Sequence, residues 1–236
     1  NRMVERKAIV KNLVSVETLG STTAICSDKT GTLTQNEMTI TKVFTDFKEF
    51  DVEGSGYTPE GDIKLDGETI EDHEQIKLLM TIASFSNDAN LIEKDGLYEI
   101  TGDPTEGAML TLAEKWGIVQ EDLNESHPRI DEIPFDSDRK MMTTFHEMDG
   151  SYYAMTKGAP DVMISKSSKI MIGGKLEDFT EDKKKEVLEE NTKLAKKALR
   201  VMAYAFKPYE TLENEELTTE NIEKDMVFVG LTGMID

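Results

Sequence analysis

Residues 25–34, Ile-Cys-Ser-Asp-Lys-Thr-Gly-Thr-Leu-Thr, restrict the fold more than any other stretch of the 236-residue chain. The residues leading into it, 22–27, are small, β-branched or apolar and predict a buried strand. Cys26 on that strand is expected to be an inert core thiol. Asp28 falls where the strand ends. Gly31 permits a sharp turn, and Lys29, Thr30 and Thr32 surround the carboxylate with donors. In an open α/β sheet, the carboxyl ends of the strands are where ligands are held. A carboxylate flanked by a cation and hydroxyls is suited to attack a phosphoryl group and carry it as an aspartyl-phosphate.

Asp28-Lys29-Thr30-Gly31-Thr32-Leu33-Thr34 resembles the phosphorylation motif of P-type ion-pumping ATPases, and the match is long and specific. Soluble phosphatases of the related haloacid-dehalogenase class carry a second Asp two positions after the first, as general acid and base. Thr30 stands there instead. A threonine neither protonates a leaving group nor activates water near neutral pH. The phosphoenzyme would therefore persist, as a pump requires.

The charge balance limits the partners. With 27 basic and 47 acidic residues the net charge is −20, which argues against nucleic acid and anionic membrane surfaces. A nucleotide would need a local cluster of cations inside this field. Acids are dense over residues 210–225, which read as a solvated loop. Cys26 is the only cysteine, so no intramolecular disulfide forms and a reducing compartment fits. His73, His127 and His146 lack ligand spacing, so no structural metal site is assigned. No apolar run reaches membrane-spanning length. Together with the resemblance, this predicts a soluble piece of a membrane protein, at the cytoplasmic face.

Along the chain, residues 1–11 predict a surface helix or arm, and residues 37–45 a strand. Gly54, Gly56, Pro59, Gly61 and Gly67 punctuate a loop. Thr69 is expected to cap a helix whose apolar face is Ile76, Leu79, Met80 and Ala83, ending at Asn87 and Asp88. Asp103-Pro104-Thr105-Glu106 is a strong helix start, with Met109, Leu112, Ala113 and Trp116 continuing inward and Gly117 stopping it. A short strand over 132–135 precedes a hairpin turning at Asp149-Gly150. Thr180 caps a long helix with Val187, Leu188, Leu194 and Ala195 inward. Strands follow over 201–206 and 226–234. The methionines of the hairpin are expected in the core.

The order of elements predicts an α+β fold. The resemblance extends over nearly the whole chain and implies an antiparallel sheet with flanking helices, the nucleotide-binding domain of a P-type ATPase. That domain would be inserted in a partial α/β, haloacid-dehalogenase-like phosphorylation domain. The expected division is 1–36 for partial phosphorylation domain, 37–229 for nucleotide-binding domain and 230–236 for the return strand. Tyr57-Thr58-Pro59-Glu60-Gly61 resembles a stretch of the calcium-pump subgroup.

The resemblance also implies how ATP is held. Thr105-Glu106 is similar to the segment with the adenine-side acid, although Glu106 also fits a capping box. Phe135 resembles the residue that stacks on adenine, with Arg139 and Lys140 following; a core position is the competing reading. Lys157-Gly158 resembles the motif whose lysine lines the pocket, the glycine allowing close backbone approach. Arg200 in Leu199-Arg200-Val201 is similar to the arginine that reaches the phosphates; an arginine complementing a helix C-terminus is the alternative. Ser137 stands where animal calcium pumps often carry Arg. Mg²⁺ would take a carboxylate oxygen of Asp28 and the Thr30 carbonyl, while Lys29 and Thr32 offset charge during transfer. The expected function is the ATP-binding fragment of a P-type cation pump, with calcium the expected ion. The fragment alone is expected to be inactive, its partners being ATP and the remaining domains of the pump. A soluble phosphohydrolase and a non-catalytic nucleotide-binding module are the alternatives; phosphate release on ATP addition separates the first from the rest.

Overall fold

The computed structural model describes residues 13–27, 32, 34, 37–212 and 216–236. The chain divides into two compact units, residues 1–36 and 37–236. The expected arm over 1–11 lies outside the described residues. In the first unit, helix α1 (Leu13–Gly20) ends where Ser21 N–H donates to the Glu17 carbonyl. The strand expected over 22–27 is not formed: these residues are irregular and exposed, Ile25 at 91%. Cys26, expected in a core, is exposed. A strand persists only where neighbours take its N–H and C=O groups, and α1 is the only regular element of this unit among the described residues.

The second unit is built on one large sheet. Strands β1 (Thr39–Thr45), β2 (Lys48–Val52), β3 (Ile63–Leu65) and β4 (Glu68–Thr69) form its first part. Helix α2 (Glu74–Phe85) follows, then a separate hairpin of β5 (Asn90–Lys94) and β6 (Leu97–Thr101). Helices α3 (Pro104–Glu114) and α4 (Gln120–Ser126) precede β7 (Arg129–Asp136), β8 (Met141–Met148) and β9 (Ser151–Gly158). Helix α5 (Pro160–Lys166), β10 (Ser167–Ile172), β11 (Lys175–Asp178) and α6 (Glu181–Lys196) come next. The chain closes with β12 (Arg200–Tyr209), α7 (Thr219–Ile222) and β13 (Met226–Ile235). The main order is β4-β3-β2-β1-β13-β12-β9-β8-β7, all antiparallel; β10 adds to β13 in parallel and β11 to β10. The expected antiparallel sheet with flanking helices is the observed architecture.

β13 is buried along nearly its whole length because helices cover both faces of the sheet. Ile76, Leu79 and Met80 of α2 and Met109 and Leu112 of α3 pack with Val43, Val227 and Val229 on one face. Met163 of α5 and Val187 and Leu194 of α6 pack with Phe44, Phe228 and Leu231 on the other. Gly230 is required at the centre: a Cβ there would stand 2.4 Å from the Phe44 carbonyl oxygen.

Several expectations need correction. Thr69 does not cap α2; it belongs to β4 and its hydroxyl donates to Asp62 at 2.9 Å, while the His73 ring accepts from Ile76 N–H. The glycine-rich stretch contains β3 and β4, since Gly67 closes a two-strand turn rather than extending a loop. On α6, Leu188 and Ala195 are exposed, and Glu190 is buried instead. Residues 210–225 are not wholly a solvated loop, since Ile222 and Glu223 are fully buried.

His146 on β8 is buried and stacked on Phe85, ring centroids 4.0 Å apart. Its Nδ1 lies 2.9 Å from the His127 carbonyl oxygen and its Nε2 3.0 Å from Thr144 Oγ1. Burial holds this imidazole down to about 4. Below pH 6.5 the unfolded chain takes up a proton here that the folded protein refuses, so stability falls as pH drops toward 4. Between pH 7 and 4.5 the loss should be on the order of 2–3 kcal/mol. Urea denaturation of wild type and His146→Gln at each pH isolates it: their difference should shrink by that amount on acidification. A constant difference would show that His146 titrates alike in both states.

Candidate functional site

The carboxyl end of β9 and the start of β12 lie side by side, with the β7–β8 turn beside them. Ala203 pairs with Gly158, and Gly158 with Met141. This register brings Phe135, Lys140, Lys157 and Arg200 to one cleft of about 220 Å³, with Gly158, Ala159, Val201 and Met202 completing it. Sequence reasoning missed Ala159, Val201 and Met202; their apolar character gave no signal apart from core.

Phe135 is 63% exposed and belongs to none of the core clusters. It lies in a break of the β7–β8 ladder, which pairs Ile133 with Thr143 and then Asp136 with Met141. Lys140 has a left-handed backbone (φ +58°), with its N–H on the Asp136 carbonyl and its own carbonyl accepting from Ala159 N–H. Lys157 is 5% exposed, and its Nζ is 2.5 Å from Glu106 Oε1. Burial pushes the Lys157 ammonium down, while the Glu106 charge pulls it back up.

Glu106 does not close a capping box. Its Oε2 accepts from Asp88 N–H at 3.1 Å, and Asp103 alone caps α3, accepting from Thr105 and Glu106 N–H. Thr105 is buried, and its hydroxyl accepts from Arg200 Nη1 at 3.0 Å. Arg200 thus spans from α3 to the cleft. Gly158 has a different reason from the one expected. A Cβ there would meet the Lys140 carbonyl oxygen at 2.7 Å and Met141 Cγ at 2.6 Å, so the small residue admits the neighbouring strand.

Arg139 is not among the residues lining the cleft. Its guanidinium donates to Glu223 Oε1 and to the Pro134 carbonyl. Asp28, Lys29 and Thr30 lie outside the described residues; Thr32 stands in an exposed turn of the first unit. Among the described residues no group of three acids, histidines or cysteines is placed to hold a metal ion.

The backbone that donates to Glu106 is itself held by a long-range contact. Arg129 at the start of β7 donates to the carbonyls of Phe85 (3.2 Å) and Asn87 (2.8 Å), capping α2, and pairs with Asp88 at 2.8 Å. Asn87 donates to the Glu106 carbonyl at 3.0 Å. Arg129 is more than forty positions from Phe85, Asn87 and Asp88, a separation that no local pattern reveals.

An α+β unit whose main, largely antiparallel sheet lies between helical layers carries a cation-lined cleft at the strand ends. The P-type ATPase cytoplasmic domain N matches residues 75–236, and the chain belongs to this family. It is 42% identical over 238 residues to a calcium-transporting ATPase of Bacillus subtilis, covering all of this chain and 26% of the relative. Calcium-transporting ATPase 1 of Bacillus cereus is 40% identical, with all of this chain and 24% of the relative covered. A cation-transporting ATPase of Synechocystis is 35% identical, again over the whole chain and 26% of the relative. The chain spans about a quarter of the length of the relatives it matches. Among the described residues no helix is long and apolar enough to cross a membrane.

Proposed function

We propose that the chain is the ATP-holding part of a P-type cation pump, residues 37–229 gripping the nucleotide and Asp28 accepting its γ-phosphate. One observation carries the reading. In a chain of net charge −20, three cations and one exposed aromatic ring line a single cleft, and among the described residues no carboxylate lines it. An exposed ring takes the face of a purine without base-specific hydrogen bonds. Lys140 and Arg200 draw the phosphates, and Lys157 is held at the cleft wall by Glu106. Glu106 lies behind the lining with its carboxylate engaged by Lys157; the resemblance alone supports it as the adenine-side acid, while Thr105 holds Arg200 in place. Arg139 acts on the turn rather than on the nucleotide.

The Asp28–Thr34 resemblance supports the acceptor assignment, with Lys29 and Thr32 offsetting charge in transfer. Asp28 and the Thr30 carbonyl are the proposed Mg²⁺ ligands, and the ion would supply charge neutralisation at the phosphate oxygens. Residues 1–36 are assigned to the phosphorylation domain, whereas residues 230–235, expected as a return strand to it, lie in β13 within the sheet of the second unit. Calcium as the transported ion is supported by the names of the bacillary relatives and by Tyr57-Thr58-Pro59-Glu60-Gly61. The proposed setting is the cytoplasmic face of a membrane, with the rest of a longer pump as partner.

ATP titrated into the chain, with and without Mg²⁺, tests the cleft. Amide shifts should move at Phe135, Lys140, Lys157, Gly158 and Arg200, with weak affinity and little dependence on Mg²⁺. Shifts confined to residues 25–34 would remove the cleft from the nucleotide site.

A further inference from the structure

The ring of Phe135 is held by neither of the usual means. It lies in the break of the β7–β8 ladder and outside the core. Pro134 before it has no N–H to give, and β7 is the edge of the sheet. What holds the turn is a set of polar contacts. Asp136 Oδ1 accepts from the N–H groups of Asp138 (3.0 Å) and Arg139 (2.9 Å). The Arg139 guanidinium reaches back to the Pro134 carbonyl, and its other arm donates to Glu223 Oε1.

Glu223 is the fixed end of this arrangement. Its side chain is 0% exposed, at the C-terminal cap of α7 beside the buried Ile222. The same Oε1 accepts from Thr143 Oγ1 on β8 at 2.9 Å. Thr143 in turn lies 2.9 Å from Thr156 Oγ1 on β9, the residue before Lys157. Glu223 Oε2 is buried without a hydrogen-bond partner among the described residues. A buried carboxylate so poorly shared depends on its cationic partner. One side chain therefore ties the turn bearing Phe135 and Lys140 to the strand bearing Lys157.

We propose that Glu223 is a positioning residue for nucleotide binding, acting through Arg139 to hold the Phe135–Lys140 turn against the cleft. The inference rests on the reading of the cleft as a nucleotide site. It concerns a residue from the acidic stretch over 210–225 that does not line the cleft itself.

A double-mutant cycle tests it, with adenosine as the probe so that phosphate charge does not enter. Affinities of wild type, Glu223→Gln, Phe135→Ala and the double variant are measured well below each melting temperature, with amide spectra confirming the fold. Glu223→Gln keeps the shape and removes the charge. It should weaken adenosine about five-fold or more, the lower end of a lost stacking contact. In the Phe135→Ala background it should cost nothing further, and the Phe135 ring signals should shift in Glu223→Gln. A folded Glu223→Gln that binds as wild type overturns the proposal, as does a loss that adds in full to that of Phe135→Ala. If Phe135→Ala alone leaves adenosine binding unchanged, the nucleotide reading of the cleft fails first. Should Glu223→Gln not fold, Arg139→Lys gives up the Pro134 carbonyl while keeping a cation for Glu223; the same coupling to Phe135 is expected.

Discussion

In a pump carrying this chain, Asp28→Asn should abolish phosphoenzyme formation and ion-dependent ATP turnover while ATP binding persists. The amide matches the carboxylate in shape but offers no nucleophilic oxygen, so no acyl phosphate forms. Loss of a covalent nucleophile costs on the order of 10⁴-fold or more in turnover. Binding is expected to hold or tighten, because one negative charge beside the γ-phosphate is removed and the cleft cations are untouched. Acid-quenched labelling with radioactive ATP reads the first effect, and nucleotide titration the second. Retained turnover in the variant would show that Asp28 is not the acceptor, and lost binding that the acceptor and the cleft are not separable.

Phe135→Ala should weaken ATP by roughly five- to 150-fold, the range of about 1–3 kcal/mol for a lost stacking platform. The site makes this the largest single loss in binding. The ring is already exposed, so its removal opens no core cavity and stability should change little. Most of the affinity should also reside at the adenine end, since the phosphates enter an acidic protein. Adenosine and ATP should therefore lose similar factors in the variant. Calorimetric or amide-shift titrations read both, with a urea midpoint to confirm that folding is unaffected. Wild-type affinity in the variant would mean that the ring faces the cleft without contacting nucleotide.

Features with local causes were legible in the sequence. Asp103-Pro104-Thr105-Glu106 starts α3 because its cap needs only the next few residues. Asp149-Gly150 turns β8 into β9 because both residues accept positive φ. The same Asp-Gly signal at residues 95 and 96 turns β5 into β6, again with both residues at positive φ. Where partners are distant, the sequence was silent or misleading. The apolar pattern over 22–27 matched a buried strand, but a strand also needs neighbours to pair with. Glu106 fitted a capping box until Lys157, 51 positions away, took its carboxylate. Glu223 reads as one acid in an acidic run; only the fold sets it beside Arg139, 84 positions earlier. The cleft residues that the family motif marks were found because they cluster in motifs. The residues holding them in place were not, since each acts through tertiary contacts alone.

The pairing of β1 with β13 runs from Thr39–Ile235 to Thr45–Gly230, so the second unit receives and releases the chain at adjacent points. Were the unit inserted in a phosphorylation domain as proposed, ends this close would add little span to that domain and cost it little chain entropy. The same geometry sets a mechanical weakness. Tension drawing residues 39 and 235 apart would not shear the ladder as a whole. It would unzip the two strands one pair at a time from that end, before the helical layers bear any load.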